Sequence, residues 1–169
     1  MNKEYRHLLP PDFPDESRVW VYQSSRLFGI GEALEVESVL EDFVSGWTSH
    51  GHPVRGFATL FFGRFLVLMA DESASGVSGC STDASVRMVK EVEQRFRVSM
   101  FDRQSLAFIV KEKVELLPMG QLGYALQQGF IDSGTLYFNN LVSTKRELID
   151  SWIVPLRDSW LSSRLRVNS

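Results

Sequence analysis

The chain has 169 residues, of which 44% are hydrophobic and 23% charged, and its formal net charge is -3 at pH 7. These values are typical of a globular protein that buries one substantial core but is short for two domains. Nucleic-acid binding depends on clustered Lys and Arg side chains that neutralise phosphates, so the acidic balance excludes a global attraction to DNA or RNA. We expect a single domain over residues 1–169 with no nucleic-acid partner.

The cysteine content and the hydropathy pattern indicate the compartment. Cys80 is the single cysteine, so no intramolecular disulfide can form. The N-terminal segment has no apolar stretch of the kind found in secretory signals. The longest apolar run, 57–70, is interrupted at residues 63–64 and falls short of the roughly 20 residues that cross a bilayer as a helix. We expect a cytoplasmic protein with no membrane partner.

The pattern of the first 110 residues predicts a ferredoxin-like core over 18–110, after an extended Pro-rich lead over 1–17. Strands are predicted over 18–23, 57–62, 64–70 and 105–110, and helices over 32–49 and 82–96. This βαββαβ order, with both helices on one face of the sheet, defines the ferredoxin-like or split βαβ arrangement of the α+β class. The run 64–70 is apolar almost throughout, which predicts a central strand covered on both faces.

Residues 111–169 are predicted to extend this core with further β and α elements. Short strands are expected over 113–117 and 135–138, with a short helix between them from Pro118 to about Gly129. A last helix is expected to begin at Ser143 or Thr144 and to end before Pro155. Thr144 and Glu147 have the spacing of a capping box.

The segment ASGVSGCSTDAS, residues 74–85, is the strongest candidate for a site. A helix N-terminus leaves N–H groups unpaired and carries a partial positive charge, so a Gly/Ser loop before it can hold an anion. We expect a small anionic or phosphorylated ligand to bind here, with these residues as donors or counter-charges: Ser78, Gly79, Cys80, Ser81, Thr82, Arg55 and Arg18. Ordinary helix capping requires the same residue types and stays open as an alternative.

Cys80 supports a second hypothesis, a thiol-dependent enzyme. The charge at a helix start lowers the pKa of a cysteine there. In a βαββαβ core, the loop with His50 and His52 lies at the same sheet edge as the loop that enters the second helix. Cys80 would then be the nucleophile and one of the two histidines its base. The same side chains suit zinc, but their spacing has no metal signature, and we predict no metal or cofactor.

A third hypothesis is a protein-protein interaction or assembly module. The sheet of a ferredoxin-like fold has open edges, and such edges pair readily between copies of a chain. A homodimer is therefore a possible assembly.

Three further segments are predicted to be structural. The Asp-Arg step at 102–103 is expected to form a turn with a surface ion pair. The Asn pair at 139–140 is expected to satisfy backbone groups of a turn, with ligand contact as the alternative. Trp152 and Trp160 are expected to pack the C-terminal segment onto the body of the protein.

The segments GCSTD, FDR, FNNLV and SWIVP, in this order, resemble a family of short bacterial proteins of uncharacterised function. The resemblance extends from residue 15 to residue 160. Members of that family are sometimes labelled automatically as ABC-transporter ATPases. This chain has no GxxxxGK[ST] loop and is too short for a complete nucleotide-binding domain, so we reject that label. The resemblance implies a cytoplasmic single-domain protein and provides no catalytic residue.

Overall fold

The computed structural model describes residues 1–73 and 80–165, which form an α+β fold with antiparallel sheets. The strands are β1 Arg18–Gln23, β2 Thr48–Ser49, β3 His52–Pro53, β4 Arg55–Phe61, β5 Phe65–Asp71, β6 Ser105–Val110, β7 Lys113–Pro118, β8 Leu136–Phe138 and β9 Ile153–Pro155. The α-helices are α1 Ile30–Ser45, α2 Cys80–Phe96, α3 Leu122–Gln127, α4 Lys145–Ser151 and α5 Ser162–Leu165. Short 3-10 turns lie at Arg6–Leu8, Met119–Gln121 and Leu156–Asp158.

The first sheet has the strand order β1-β5-β4, and every residue of β5 is buried. Leu66 and Leu68 face the helices α1 and α2, whereas Phe65, Val67 and Met69 face the second sheet. A strand with apolar residues on both faces is stable only where both faces are covered. The prediction that this run lies at the centre of the sheet is therefore confirmed.

Helix α1 packs Val36 and Leu40, one turn apart, against the first sheet. It begins at Ile30 and ends at Ser45, so the prediction of a helix to residue 49 is wrong at its C-terminal end. The chain leaves the helix because Trp47 is buried in a separate cluster with Val54 and Ala70. The following residues form the β2–β3 hairpin instead.

The second sheet has the order β7-β6-β8-β9 and differs from the predicted ferredoxin-like arrangement. That arrangement requires β6 to pair with the outer edge of β1. Instead β6 forms a hairpin with β7 through a turn in which Lys111 and Glu112 both have positive φ, and it also pairs with β8 at Phe108 and Tyr137. A local hairpin forms at a lower loop-closure cost than a distant strand pair. The strands that correspond to the first three predicted ones, β1, β4 and β5, have the order expected of a ferredoxin-like sheet, whereas β6, the fourth predicted strand, belongs to another sheet.

The two sheets pack face to face, so β5 lies between a helical layer and a second β layer. Ala107 of β6, Phe138 of β8 and Trp152, which follows α4, belong to the same buried cluster as Phe65. The rings of Phe65 and Phe138 stack with centroids 4.5 Å apart. Because the second sheet covers this face of β5, the residues there, Phe65, Val67 and Met69, are apolar.

The C-terminal elements follow the predicted order with one difference. Thr144 caps α4 by accepting from the Glu147 N–H at 3.1 Å, as the capping-box spacing predicts. The helix ends at Ser151, before Pro155 as predicted, and the difference is that residues Ile153–Pro155 pair with β8 as strand β9. Trp152 is fully buried, which confirms its predicted packing role, whereas Trp160 is 40% exposed.

The N-terminal lead is held against α4. The buried Lys145 ammonium donates to the carbonyls of Pro10 and Phe13, at 2.8 and 2.7 Å. Tyr5 is buried as well, and its hydroxyl donates to the carbonyl of Leu148. In residues 1–73 and 80–165, no helix is long and apolar enough to cross a membrane.

Candidate functional site

A cleft opens where the outer edge of β1 diverges from the start of β6. Its volume is about 90 Å³, and it adjoins a second depression of about 150 Å³ that follows β1. The side chains that matter for its chemistry are Gln23, Phe101, Arg103, Tyr137, Asn140 and Trp160. The cleft exists because β6 joins the second sheet, which leaves the edge of β1 without a neighbouring strand at this end.

Segments that are far apart in the sequence meet at this cleft. The FDR segment 101–103, the FNNL segment 138–141 and Trp160 of the DSW segment all contribute lining residues. The sequence predicted separate structural roles for these segments. Their convergence makes the cleft, rather than any one segment, the candidate site.

Three side chains form a hydrogen-bonded chain through the wall of the cleft. The indole N–H of Trp152 donates to Asn140 Oδ1 at 3.0 Å, and Asn140 Nδ2 donates to Gln23 Oε1 at 2.9 Å. Gln23 Nε2 in turn donates to the carbonyl of Ser105 at 3.0 Å. Each amide nitrogen carries two hydrogens and uses one of them in this chain. Both amides are therefore held in one orientation with a further donor each.

The edge of β1 adds backbone donors and acceptors. The N–H of Val19 donates to the carbonyl of Ser143 at 2.9 Å on the outer side of β1. Backbone groups alternate in direction along an antiparallel strand, so the N–H of Val21 points to the same outer side. Val21 lines the cleft. A ligand there meets an N–H and a C=O of the strand in addition to the two amides.

Two tyrosines contribute neutral hydroxyls. The Tyr137 hydroxyl accepts from the indole N–H of Trp160 at 3.1 Å, and burial raises the pKa of Tyr137 although that bond acts in the opposite direction. Burial likewise raises the pKa of Tyr22, whose hydroxyl lies 3.3 Å from Ser85 Oγ and whose ring meets Phe101 edge to face. Both phenols therefore remain protonated at neutral pH and can act as donors.

Arg103 provides positive charge at the mouth of the cleft. Its side chain is exposed, and in the described part of the chain it has no ion pair. The predicted ion pair between Asp102 and Arg103 is thus not formed. The Asp102 carboxylate instead accepts from the Gln104 N–H at 2.8 Å and the Ser105 hydroxyl at 2.9 Å, and these bonds lower its pKa. The predicted turn is present, but Asp102 does not pair with the Arg103 guanidinium.

The two arginines predicted as counter-charges for an anion are paired with carboxylates. Arg55 contacts Asp71 at 2.9 Å and also Asp12. Arg18 lies 3.6 Å from Glu72. Because both charges are already compensated, neither arginine presents a free guanidinium to a ligand.

The start of α2, where the sequence predicts site residues, lies near the β2–β3 hairpin. Ala84 packs against the cluster that contains Trp47 and Val54, and both histidines, His50 and His52, are exposed in that hairpin. Helix α2 begins at Cys80, so Cys80, Ser81 and Thr82 form its first turn. Ser78 and Gly79 lie outside the described residues, as do the side chains of Cys80, Ser81 and Thr82. The anion site and the Cys80 nucleophile therefore stay predictions.

No group of three or more His, Cys, Asp or Glu residues that could hold a metal ion occurs within the described ranges.

Comparison with protein-family models, curated proteins and solved structures finds no match to the chain. The resemblance to a family of short bacterial proteins stays a prediction. The candidate site rests on its own geometry.

Sequence reasoning missed Gln23 and Tyr137 as site residues. Gln23 is the polar residue that ends the otherwise apolar run VWVYQ, which is a weak signal in itself. Tyr137 lies inside a short strand pattern, where an aromatic residue is expected for packing alone. Both become site residues only through the way in which the two sheets meet.

Proposed function

We propose that the protein is a cytoplasmic binding protein for a small anionic or phosphorylated ligand, with the cleft between β1 and β6 as its binding site. The observation that carries this proposal is the fixed amide pair of Gln23 and Asn140 beside the unpaired guanidinium of Arg103. The Asp102 carboxylate also lines the cleft, but it already accepts from the Gln104 N–H and the Ser105 hydroxyl. The remaining amide hydrogens of Gln23 and Asn140 and the Arg103 guanidinium have no acceptor among the described residues. A carboxylate or phosphate supplies the acceptors that such an array lacks.

The volume of the cleft limits the ligand. About 90 Å³ is well below the 300–1,000 Å³ of sites that enclose a drug-sized molecule. The cleft therefore suits a single carboxylate or phosphate group with few further atoms. A larger ligand would extend into the depression along β1 that Val19, Leu141 and Val142 line.

The N-terminus of α2 is a second location for the same class of ligand. Its support is the Gly/Ser sequence before the helix. Arg55 and Arg18 are compensated by carboxylates, which favours the cleft over this location. A thiol-dependent enzyme with Cys80 as nucleophile and His50 or His52 as base is the alternative of another class.

The test is titration of the ¹⁵N-labelled protein with inorganic phosphate and with acetate, followed by NMR chemical shifts. We expect saturable shifts in Val21, Arg103 and Asn140. Arg103→Gln should weaken binding by about tenfold or more, as the loss of a charge-assisted hydrogen bond does. Arg87→Gln is the matched control, because Arg87 is exposed on α2 and does not line the cleft.

Two other outcomes would contradict the cleft as the site. Shifts confined to residues at the start of α2 would place the anion site at that helix N-terminus instead. Equal weakening by the Arg103 and Arg87 substitutions would indicate non-specific attraction of the anion.

An assembly role is a second candidate function, favoured by exposed apolar side chains beside and on α1. Leu27, Ile30 and Leu34 are 59%, 86% and 69% exposed, and the last two lie one turn apart on the same helix face. We propose that this face is covered by a second copy of the chain if a homodimer forms. Sedimentation equilibrium tests it: a dimer that Ile30→Lys and Leu34→Lys convert to a monomer supports the role, and a wild-type monomer ends it.

A further inference from the structure

A second groove lies between Leu27, the β4–β5 turn and the β6–β7 hairpin. It has a volume of about 560 Å³, within the range of small-molecule sites. Its apolar wall contains Leu27, Phe62 and Val114, and its charged side chains are Arg64, Lys113, Glu112 and Glu115. Met1 also lines it and places the N-terminal ammonium beside Glu112. It shares no lining residue with the cleft.

Arg64 is the unusual member of this wall. Its guanidinium is half-buried, and one terminal nitrogen donates to the carbonyl of Ser24 at 3.2 Å. The buried Nε has no acceptor among the residues that the structure describes, and no carboxylate there lies within ion-pair distance of Arg64. Burial lowers the pKa of Arg64, and the Glu115 carboxylate acts in the opposite direction. The cation is therefore partly desolvated, and Glu115 compensates it only from beyond ion-pair distance.

A desolvated cation with unused donors raises the free energy of the folded state unless an anion approaches it. A guanidinium has five N–H donors in a planar fork, and a carboxylate can accept two of them side by side. The missing partner of Arg64 therefore has the chemistry of a carboxylate.

The turn that carries Arg64 is held rigidly. Phe62 and Gly63 both have positive φ, at 57° and 62°, and the Arg64 carbonyl accepts from the Ser24 N–H at 2.9 Å. A Cβ on Gly63 would lie 2.9 Å from Leu27 Cδ1, so the turn packs closely against the apolar wall. The position of the Arg64 guanidinium relative to the apolar wall at Leu27 is thus set by this turn.

The charges at the rim select among anions. Glu112 and Glu115 line the groove and are both exposed. The N-terminal ammonium of Met1, which also lines the groove, pairs with Glu112 at 2.9 Å, whereas Glu115 has no ion pair within the described ranges. The Glu115 carboxylate opposes a dianion such as phosphate more strongly than a monoanion. Because the wall is apolar, the partner that fits is a monoanion with an apolar body.

We propose that this groove binds a medium-chain carboxylate, with its carboxylate on the Arg64 guanidinium and its hydrocarbon chain against Leu27, Phe62 and Val114. The site is independent of the cleft between β1 and β6. The two sites differ in the ligand they take, since the cleft is polar and small and the groove is apolar and larger.

The test is isothermal titration of the protein with octanoate, octanol and acetate, each below the concentration at which it aggregates. Octanoate should bind the groove saturably, and octanol and acetate should bind the groove more weakly by about tenfold or more, since each lacks one of the two contacts made there. Arg64→Met should weaken octanoate binding to the level of octanol, and Arg64→Lys should give an intermediate value. Arg87→Met is the matched control and should leave octanoate binding unchanged, because Arg87 lines neither the groove nor the cleft.

A chemical-shift map of the wild-type protein keeps the test decisive if Arg64→Met does not fold. Octanoate should shift residues of segments 24–27, 62–64 and 113–115. Absence of saturable octanoate binding, equal affinity for octanol, or shifts confined to the cleft would overturn the proposal. Phosphate binding at the cleft that Arg64→Met does not alter would leave the proposed function standing on its own.

Discussion

The side-chain amide of Asn140 donates to the side-chain carbonyl of Gln23 at 2.9 Å and connects residues 117 positions apart in the sequence. Gln23 ends β1 of the first sheet, and Asn140 follows β8 of the second. The bond therefore fixes the two sheets relative to each other at the candidate site. Any ligand in the cleft meets donors whose orientation depends on this contact.

Asn140→Ala should lower the free energy of unfolding by about 1–3 kcal/mol, because it leaves the Trp152 N–H and the Gln23 carbonyl without their partner. Urea denaturation monitored by fluorescence measures the change. Asn139→Ala is the matched control, since its side chain makes only a local bond to the Leu141 N–H. A loss at position 140 no larger than that at position 139 would contradict a structural role for the amide chain.

Two glycine substitutions should change stability in opposite directions. A Cβ at Gly56 would lie 2.5 Å from the Trp47 ring, so Gly56→Ala should destabilise the protein by about 1–3 kcal/mol through overpacking. Gly31 lies in the first turn of α1 with no neighbour within 4 Å, so Gly31→Ala should stabilise it by about 0.5–1 kcal/mol. Thermal unfolding of both variants is the measurement. Equal effects in the same direction would show that Trp47 is not packed against β4.

The ion pair of Arg26 and Glu32 should contribute to stability in a pH-dependent way. The bond from Arg26, helped by the Gly29 N–H, lowers the pKa of Glu32 from 4.5 to about 2. A carboxyl with a lowered folded-state pKa stabilises the protein above its unfolded value, and this contribution is lost as pH falls from 4.5 through about 2.

Comparison of wild-type protein with Glu32→Gln from pH 6 to pH 2 tests this prediction. The difference in melting temperature should shrink over that window, and the Glu32 carboxyl should titrate by NMR near the lower end. Glu35→Gln is the control, because its pair with Arg95 is longer, at 3.3 Å, and both side chains are exposed. A Glu32 midpoint at an ordinary value for a carboxyl would contradict the pairing.

The Cys80 hypotheses are separated by the rate of its reaction with iodoacetamide across pH 5 to 9. A reactive thiolate with an apparent pKa well below the usual value of about 8.5 would support a site at the start of α2. Protection by phosphate would then favour the anion site over the enzyme. Reaction only after unfolding would remove the enzyme hypothesis, and His50→Ala should slow the folded-state reaction if His50 is its base.

Local sequence patterns accounted for most of the individual elements. The apolar run of β5 predicted a strand covered on both faces, and the spacing of Val36 and Leu40 placed α1 on the sheet. These predictions succeed because side-chain periodicity reports directly which face of an element is buried. The early end of α1 was missed because burial of Trp47 with Val54 depends on a contact with β5, which no local pattern contains.

The sequence therefore establishes the α+β class, most strand and helix positions and the apolar character of β5. The partner of β6 was decided by the tertiary structure. Pairing with β7 and β8 leaves the edge of β1 open, and this opening creates the cleft and brings Gln23, Arg103 and Asn140 together. Strand partnership is a competition between local turns and distant edges, and its outcome depends on how whole layers pack. A site made at such a junction is visible only once the layers are in place.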